Sequence, residues 1–195
     1  STIAKPQNGA MLIEGIFAAI CTPFYGDERL YLRKLEANVA RYSRSLLAGM
    51  VVMGSTGEAV ALTDAEAGEV LRTAAEAAAP EKVLIAGVSR ESVKATLEMA
   101  EAAADSRYDA VLVRTPTYYS PLITKAAVLK YFRAVADRSP LPVILYNIPK
   151  FAPYALTPDL VAELAQHSNI IGIKDSTGNV DQVRGLVEAT KSAPR

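Results

Sequence analysis

Tryptophan is absent from these 195 residues, cysteine and histidine each occur once, and neither sign of charge prevails. The single cysteine, Cys21, excludes an internal disulfide and fits a reducing, cytoplasmic compartment. Lysine plus arginine number 21 and aspartate plus glutamate 21, so the net charge is zero. The basic residues are scattered, which excludes the electrostatic footprint of a nucleic-acid binder or of a protein held to an anionic membrane. No apolar stretch approaches the ~20 residues needed to span a bilayer. The first residues, STIAKPQNGAM, lack the basic-then-apolar order of a secretion signal. They read as a loose tail over 1–14, ahead of one domain over 15–195.

What the chain does have is an alternation of two textures. Short apolar, β-rich segments occur at 15–21, 50–54, 82–88, 110–116, 142–149 and 170–175. Between and after them lie stretches rich in Ala, Leu, Glu and Arg at 31–48, 63–79, 91–105, 124–139, 157–167 and 179–190. The strands recur about every thirty residues, one βα unit each time. In 63–79 the residues Ala65, Gly68, Leu71 and Ala75 fall at helical spacing, and Thr63 ahead of Asp64 and Glu66 reads as an N-cap followed by acid. Thr157-Pro158-Asp159 reads as an N-cap, then proline at the first helical position, then an acid. The near-continuous apolar strands suit a parallel sheet covered on both faces. No GxGxxG follows the first strand, which disfavours a dinucleotide-binding doubly wound sheet. The expected fold is α/β, a (β/α)8 TIM barrel of which this chain supplies six βα units.

In a barrel the chemistry collects at the C-terminal strand ends. The residues leaving four strands here are GSTGE (54–58), TPTYYSP (115–121), YNIP (146–149) and KDSTGN (174–179), all polar or aromatic. The opposite ends show nothing comparable. Strand alternation puts Gly172 and Lys174 on one face and Ile171 and Ile173 on the other. With the branched isoleucines toward the helices, Lys174 points into the barrel mouth, at the height of Tyr146 on the adjacent strand. An arbitrary lysine is solvated, but one beside a phenol inside a barrel is placed for chemistry. In GSTGE, glycines permit a sharp turn, and the N–H groups of Ser55 and Thr56 suit an anion such as a carboxylate. An ordinary tight βα turn explains the same residues equally well. The remaining polar residues carry plainer expectations. His167 closes a helix, Asp175 pairs locally, and Cys21 is a small buried apolar residue. Arg114 either contacts substrate or sits in an ion pair.

The ordered set G-S-T-G-E, T-P-x-Y-Y, Y-N-I-P and G-I-K-D-S resembles that of the N-acetylneuraminate lyase and dihydrodipicolinate synthase superfamily of Schiff-base aldolases. The resemblance runs from about Gly15 to the chain end. It implies a pyruvate-dependent lyase that makes or breaks a C–C bond between pyruvate, or another 2-oxo acid, and an aldehyde. It matches Lys174 to the Schiff-base lysine and Tyr146 to the catalytic tyrosine. Ser55, Thr56 and Gly57 correspond to the 2-oxo-acid carboxylate site, with Ser55 also in the proton relay. Tyr118 or Tyr119 corresponds to a tyrosine lent across a tight dimer, and a gapless count from Thr115-Pro116 favours Tyr118. The implied protein is a homodimer or homotetramer. It uses no metal and no cofactor beyond the covalent Schiff base on Lys174.

The resemblance carries two departures. Dihydrodipicolinate synthases usually place Arg two residues after Y-N-x-P to hold the second substrate's carboxylate. Here that residue is Phe151, and an aromatic cannot make the bidentate contact. This favours a 2-keto-3-deoxy-sugar-acid or 4-hydroxy-2-oxoglutarate type of aldolase over dihydrodipicolinate synthase proper, with Lys150 as a weaker anion contact. The second departure is length, because the resemblance implies two more βα units and a C-terminal helical region. Taken as 195 residues, six units leave an open sheet with two bare edges. The rival reading is therefore a non-catalytic barrel fragment that associates with another chain.

Overall fold

The computed structural model describes residues 13–194, so most of the expected 1–14 tail lies outside the described residues. All six expected strands form, most of them shorter at the ends than the apolar runs suggest. They are β1 (Phe17–Ala19), β2 (Gly49–Val52), β3 (Val83–Gly87), β4 (Ala110–Arg114), β5 (Val143–Asn147) and β6 (Ile170–Asp175). They alternate with α1 (Leu32–Ser43), α2 (Asp64–Ala77), α3 (Val93–Asp105), α4 (Lys125–Arg138), α5 (Pro158–Leu164) and α6 (Val180–Ala189). The chain divides into two compact units. One runs to Gly87 and includes Ala102–Ala110, and the other holds Val88–Glu101 and the chain from Val111 on.

In the first unit β1, β2 and β3 pair in parallel in that order, and every residue of β2 and β3 is buried. Continuous burial is why these strands show no polar alternation. The turn leaving β2 fits only because Gly87 has no side chain. A Cβ there would stand 2.0 Å from the Met53 carbonyl oxygen. Thr63 and Glu66 form a reciprocal capping box at the start of α2, as their spacing predicts. The buried stripe of α2 is Ala67, Val70, Leu71 and Ala74. The helical period is therefore as expected, but the face is rotated, and Ala65 is exposed. Alanine and glycine carry too little apolar area to set the phase of a helix, so Val70 and Leu71 set it. Cys21 is exposed, against the expected burial. It lies just past β1, where Ile20 and Thr22 on either side point inward and take the buried positions.

In the second unit β4, β5 and β6 are parallel neighbours in that order. Sequential order within each unit is the winding of a barrel, whereas a doubly wound sheet reverses at a switch point. The core is built by β5, buried throughout, with Val128, Phe132 and Val135 of α4 and Leu160, Val161 and Leu164 of α5. Thr157 sits at the N-cap of α5 with Pro158 next, but its side chain makes no cap. It donates to the Asp159 carboxylate instead. In β6 only Ile170 is buried, and Ile171 is 39% exposed, so the expected cover over the branched side chains is incomplete. Among the described residues β6 has one strand neighbour, β5, so no strand lies along its other edge.

Candidate active site

The geometry of the candidate site begins with strand register. Arg114 of β4 is opposite Tyr146 of β5, and Tyr146 is opposite Lys174 of β6. Partners in a parallel ladder project the same way, so the three side chains start from one level at the C-terminal strand ends. Tyr146 is buried, and Lys174 is half-buried beside it. The Lys174 Nζ stands 4.1 Å from the centroid of the Tyr146 ring. The expected placing of Lys174 at the height of Tyr146 is thus present, with the amine over the ring face. A cation rests favourably there, on the negative face of the phenol.

One residue further on, β5 and β6 are locked together. The Asn147 amide donates to Asp175 Oδ2 at 2.7 Å, and its carbonyl accepts the Leu156 N–H at 3.0 Å. Asp175 Oδ1 also accepts the Thr177 N–H at 2.9 Å and the Thr177 hydroxyl. Burial pushes the Asp175 carboxyl up, but the Thr177 hydroxyl and N–H and the Asn147 amide outweigh it and hold the carboxyl below the usual range. The expected local pairing of Asp175 is this cluster. It fixes the strand ends that carry Tyr146 and Lys174.

Arg114 resolves as an ion pair. Its Nη1 lies 3.3 Å from Glu91 Oε1 and donates to the Thr115 carbonyl at 2.8 Å. Glu91 also accepts the Thr117 N–H at 2.8 Å, the Tyr118 N–H at 3.0 Å and the Thr117 hydroxyl at 2.9 Å. Burial pushes Glu91 up, but those N–H and hydroxyl donors and Arg114 together hold it below the ordinary carboxylate value. Tyr118 and Tyr119 are 78% and 66% exposed, with their rings edge-to-face at 4.9 Å. Phe151 is exposed in the turn after β5, and Lys150 Nζ lies 5.4 Å from its ring centroid. His167 accepts the Asn169 N–H at Nδ1, leaving Nε2 to donate to Asp137 at 2.9 Å, so it ties α5 to α4.

Ser55, Thr56 and Gly57 lie in the other unit, on a short 3₁₀ turn over Ser55–Gly57 that leaves β2. The turn is strained at both ends, since Met53 and Glu58 have φ of 56° and 54°. The Thr22 hydroxyl fastens it by donating to the Gly57 carbonyl at 2.6 Å. Ser55 and Thr56 are exposed and Gly57 is buried.

Sequence reasoning missed Glu91 and the structural part played by Asn147. Asn147 stood in plain view in Y-N-I-P. Glu91 carried no signal, because its partners lie 23 to 27 residues away.

Parallel βα units with their polar side chains gathered at the C-terminal strand ends define the class of the (β/α)8 barrel enzymes. Residues 12–193 match the Dihydrodipicolinate synthetase family, and the chain belongs to that family. A relative from Methanosphaerula palustris named 4-hydroxy-tetrahydrodipicolinate synthase is 37% identical over 92% of this chain and 61% of its own length. The solved dihydrodipicolinate synthase of Acinetobacter baumannii, complexed with pyruvate, superposes with a TM-score of 0.86 at 32% identity. That match covers 93% of this chain and 62% of that one. YagE of E. coli K12, a prophage protein of the same family in complex with pyruvate, gives a TM-score of 0.88 at 31% identity, over 93% and 61%. The chain therefore spans about three fifths of the length of these relatives, and its fold is six βα units of the TIM barrel. No helix among the described residues is long and apolar enough to cross a membrane.

Proposed function

We propose that this protein is a pyruvate-dependent Schiff-base lyase in which Lys174 forms the covalent intermediate. The observation that carries the reading is Lys174 paired in register with Tyr146 at the C-terminal strand ends, Nζ 4.1 Å from the ring centroid. The pyruvate complexes of two family members support the same substrate here. The unprotonated Lys174 amine attacks the keto carbon of pyruvate, and loss of water leaves an iminium. The iminium draws electrons from the adjacent methyl, which loses a proton to give an enamine. The enamine carbon then bonds to the carbonyl carbon of an aldehyde, and water releases the product and restores the amine. Tyr146 moves protons to and from the carbinolamine and the aldehyde oxygen. The iminium is itself the electron sink, so the step needs neither a metal ion nor an organic cofactor. By the family motif, Ser55, Thr56 and Gly57 hold the 2-oxo-acid carboxylate, with Ser55 in the relay. Tyr118, favoured over Tyr119, is the tyrosine lent to a second copy and extends the proton relay with Ser55 to solvent, in a homodimer or homotetramer of the cytoplasm.

Incubation with pyruvate and borohydride should add a stable mass to Lys174 alone. Lys174→Ala should abolish both adduct and turnover. Lys174→Arg should be equally dead, because guanidinium stays protonated. Tyr146→Phe should form the adduct slowly and lose most turnover. Adduct on Lys150, or unchanged turnover in Lys174→Ala, would overturn the reading.

Phe151 at the position where dihydrodipicolinate synthases usually carry Arg favours an acceptor with no carboxylate at its far end, such as a sugar aldehyde, or glyoxylate, whose carboxylate adjoins the aldehyde carbon. The names of the curated relatives favour the second reading, dihydrodipicolinate synthase proper. A panel of aldehydes in a pyruvate-consumption assay separates the two.

A further inference from the structure

We infer that Glu91 is the positioning residue for the tyrosine-bearing loop that follows β4. After Arg114 the chain runs through Thr115 and Pro116 to Tyr118 and Tyr119, then enters a 3₁₀ turn over Ser120–Leu122. Burial does not hold the two tyrosines, whose rings are mostly exposed and contact one another. The backbone is held in another way. Two consecutive amides, Thr117 and Tyr118, converge on one oxygen of Glu91, and the Thr117 hydroxyl and the Arg114 guanidinium converge on the other. Successive N–H groups aimed at one point form an anion-binding nest. Here the anion is the protein's own carboxylate, supplied from the β3–α3 connection just ahead of Ser92, whose hydroxyl accepts the Ala95 N–H in the first turn of α3.

The chemistry of the side chain matters. An ionised carboxylate offers about four acceptor sites and no donor, and the four contacts use all of them. A glutamine of the same size keeps one acceptor oxygen, but it turns an NH2 group toward the donors on the other side. An aspartate is one methylene too short to span the same gap. Glu91 also anchors Arg114, which starts level with Tyr146 and Lys174. One carboxylate thus sets both the direction in which the tyrosine loop leaves β4 and the side chain beside the reactive pair. Glu91 touches no reacting atom in this scheme and acts through Tyr118.

The inference rests on the lyase reading, and its test separates the two. Hydrogen exchange is measured at the Thr117 and Tyr118 amides in the wild-type protein, Glu91→Ala and Glu91→Gln, beside steady-state turnover with pyruvate. Glu91→Ala should speed exchange at those two amides about tenfold, the loss of one hydrogen bond each, while the amides of Val111–Val113 stay protected. It should lower kcat about tenfold with KM for pyruvate within about twofold, because the loop moves protons and does not bind the keto acid. Glu91→Gln should fall between the two. Unchanged exchange in either variant, or faster exchange with unchanged kcat, would overturn the inference. A wild-type protein that neither traps pyruvate nor turns it over refutes the lyase reading instead, and the exchange measurement still decides whether Glu91 holds the loop.

Discussion

Replacing Asn147 by alanine removes a lock placed directly beside the Lys174–Tyr146 pair. Asn147 is 1% exposed and makes two side-chain hydrogen bonds, one to Asp175 and one from Leu156. Leu156 is fully buried, so its N–H is left without a partner or water, at a cost of about 1–3 kcal/mol. Asp175 keeps both donors of Thr177 and is only half-buried, so water offsets part of its loss, which we put at about 1 kcal/mol. The sum, about 3 kcal/mol, lowers Tm by roughly 6–12 °C for a chain of this length. Thermal unfolding followed by circular dichroism reads this directly. Asn147→Asp is the sharper variant, because it sets a second carboxylate against Asp175 at 2.7 Å. Two carboxylates in one site push one pKa up. A raised carboxyl pKa destabilises above the unfolded value and is relieved as pH falls. The Tm deficit of Asn147→Asp should therefore be larger at pH 7 than at pH 5. A deficit under about 2 °C for Asn147→Ala, or no pH dependence for Asn147→Asp, would refute the account of the lock.

Three further outcomes follow from other parts of the molecule. Gly87→Ala places a Cβ 2.0 Å from the Met53 carbonyl oxygen and 2.7 Å from its carbon, so backbone must move. A loss of about 3 kcal/mol and faster exchange through Ser55–Gly57 are expected, and wild-type stability would contradict the close approach. Lys125 first, then the Thr157 hydroxyl, hold the exposed Asp159 carboxyl down to about 2. Its depressed pKa makes the contribution present above the ordinary Asp value and lost as pH falls through about 2. Lys125→Ala should return the Asp159 titration, followed by carboxyl NMR, toward the ordinary value, and an unmoved midpoint would count against the pair. Phe151→Arg restores a planar donor pair after Y-N-I-P, and should raise the ratio of aspartate-semialdehyde to glyoxylate turnover about tenfold. An unchanged ratio would show that acceptor choice lies elsewhere.

The sequence alone determined the six strands, the six helices and the placing of Lys174 level with Tyr146. Apolar runs bounded by polar ends mark strands buried on both faces, and the period-two alternation of I-I-G-I-K-D was enough to set Lys174 beside Tyr146. These are local properties, legible because backbone geometry ties spacing to direction. The phase of α2 was not legible, since alanine and glycine bury too little area to declare a face, and Val70 and Leu71 settle it only against the sheet. Nor was the exposure of Cys21, which depends on which of three consecutive residues past β1 turns outward. Above all, the tertiary structure decided the work of Arg114 and Glu91. A carboxylate and a guanidinium 23 residues apart look like two ordinary surface charges in the sequence. Folding the turn that carries Glu91 against the end of β4 brings them onto one loop, because hydrogen-bond partners are chosen by distance in space and not along the chain.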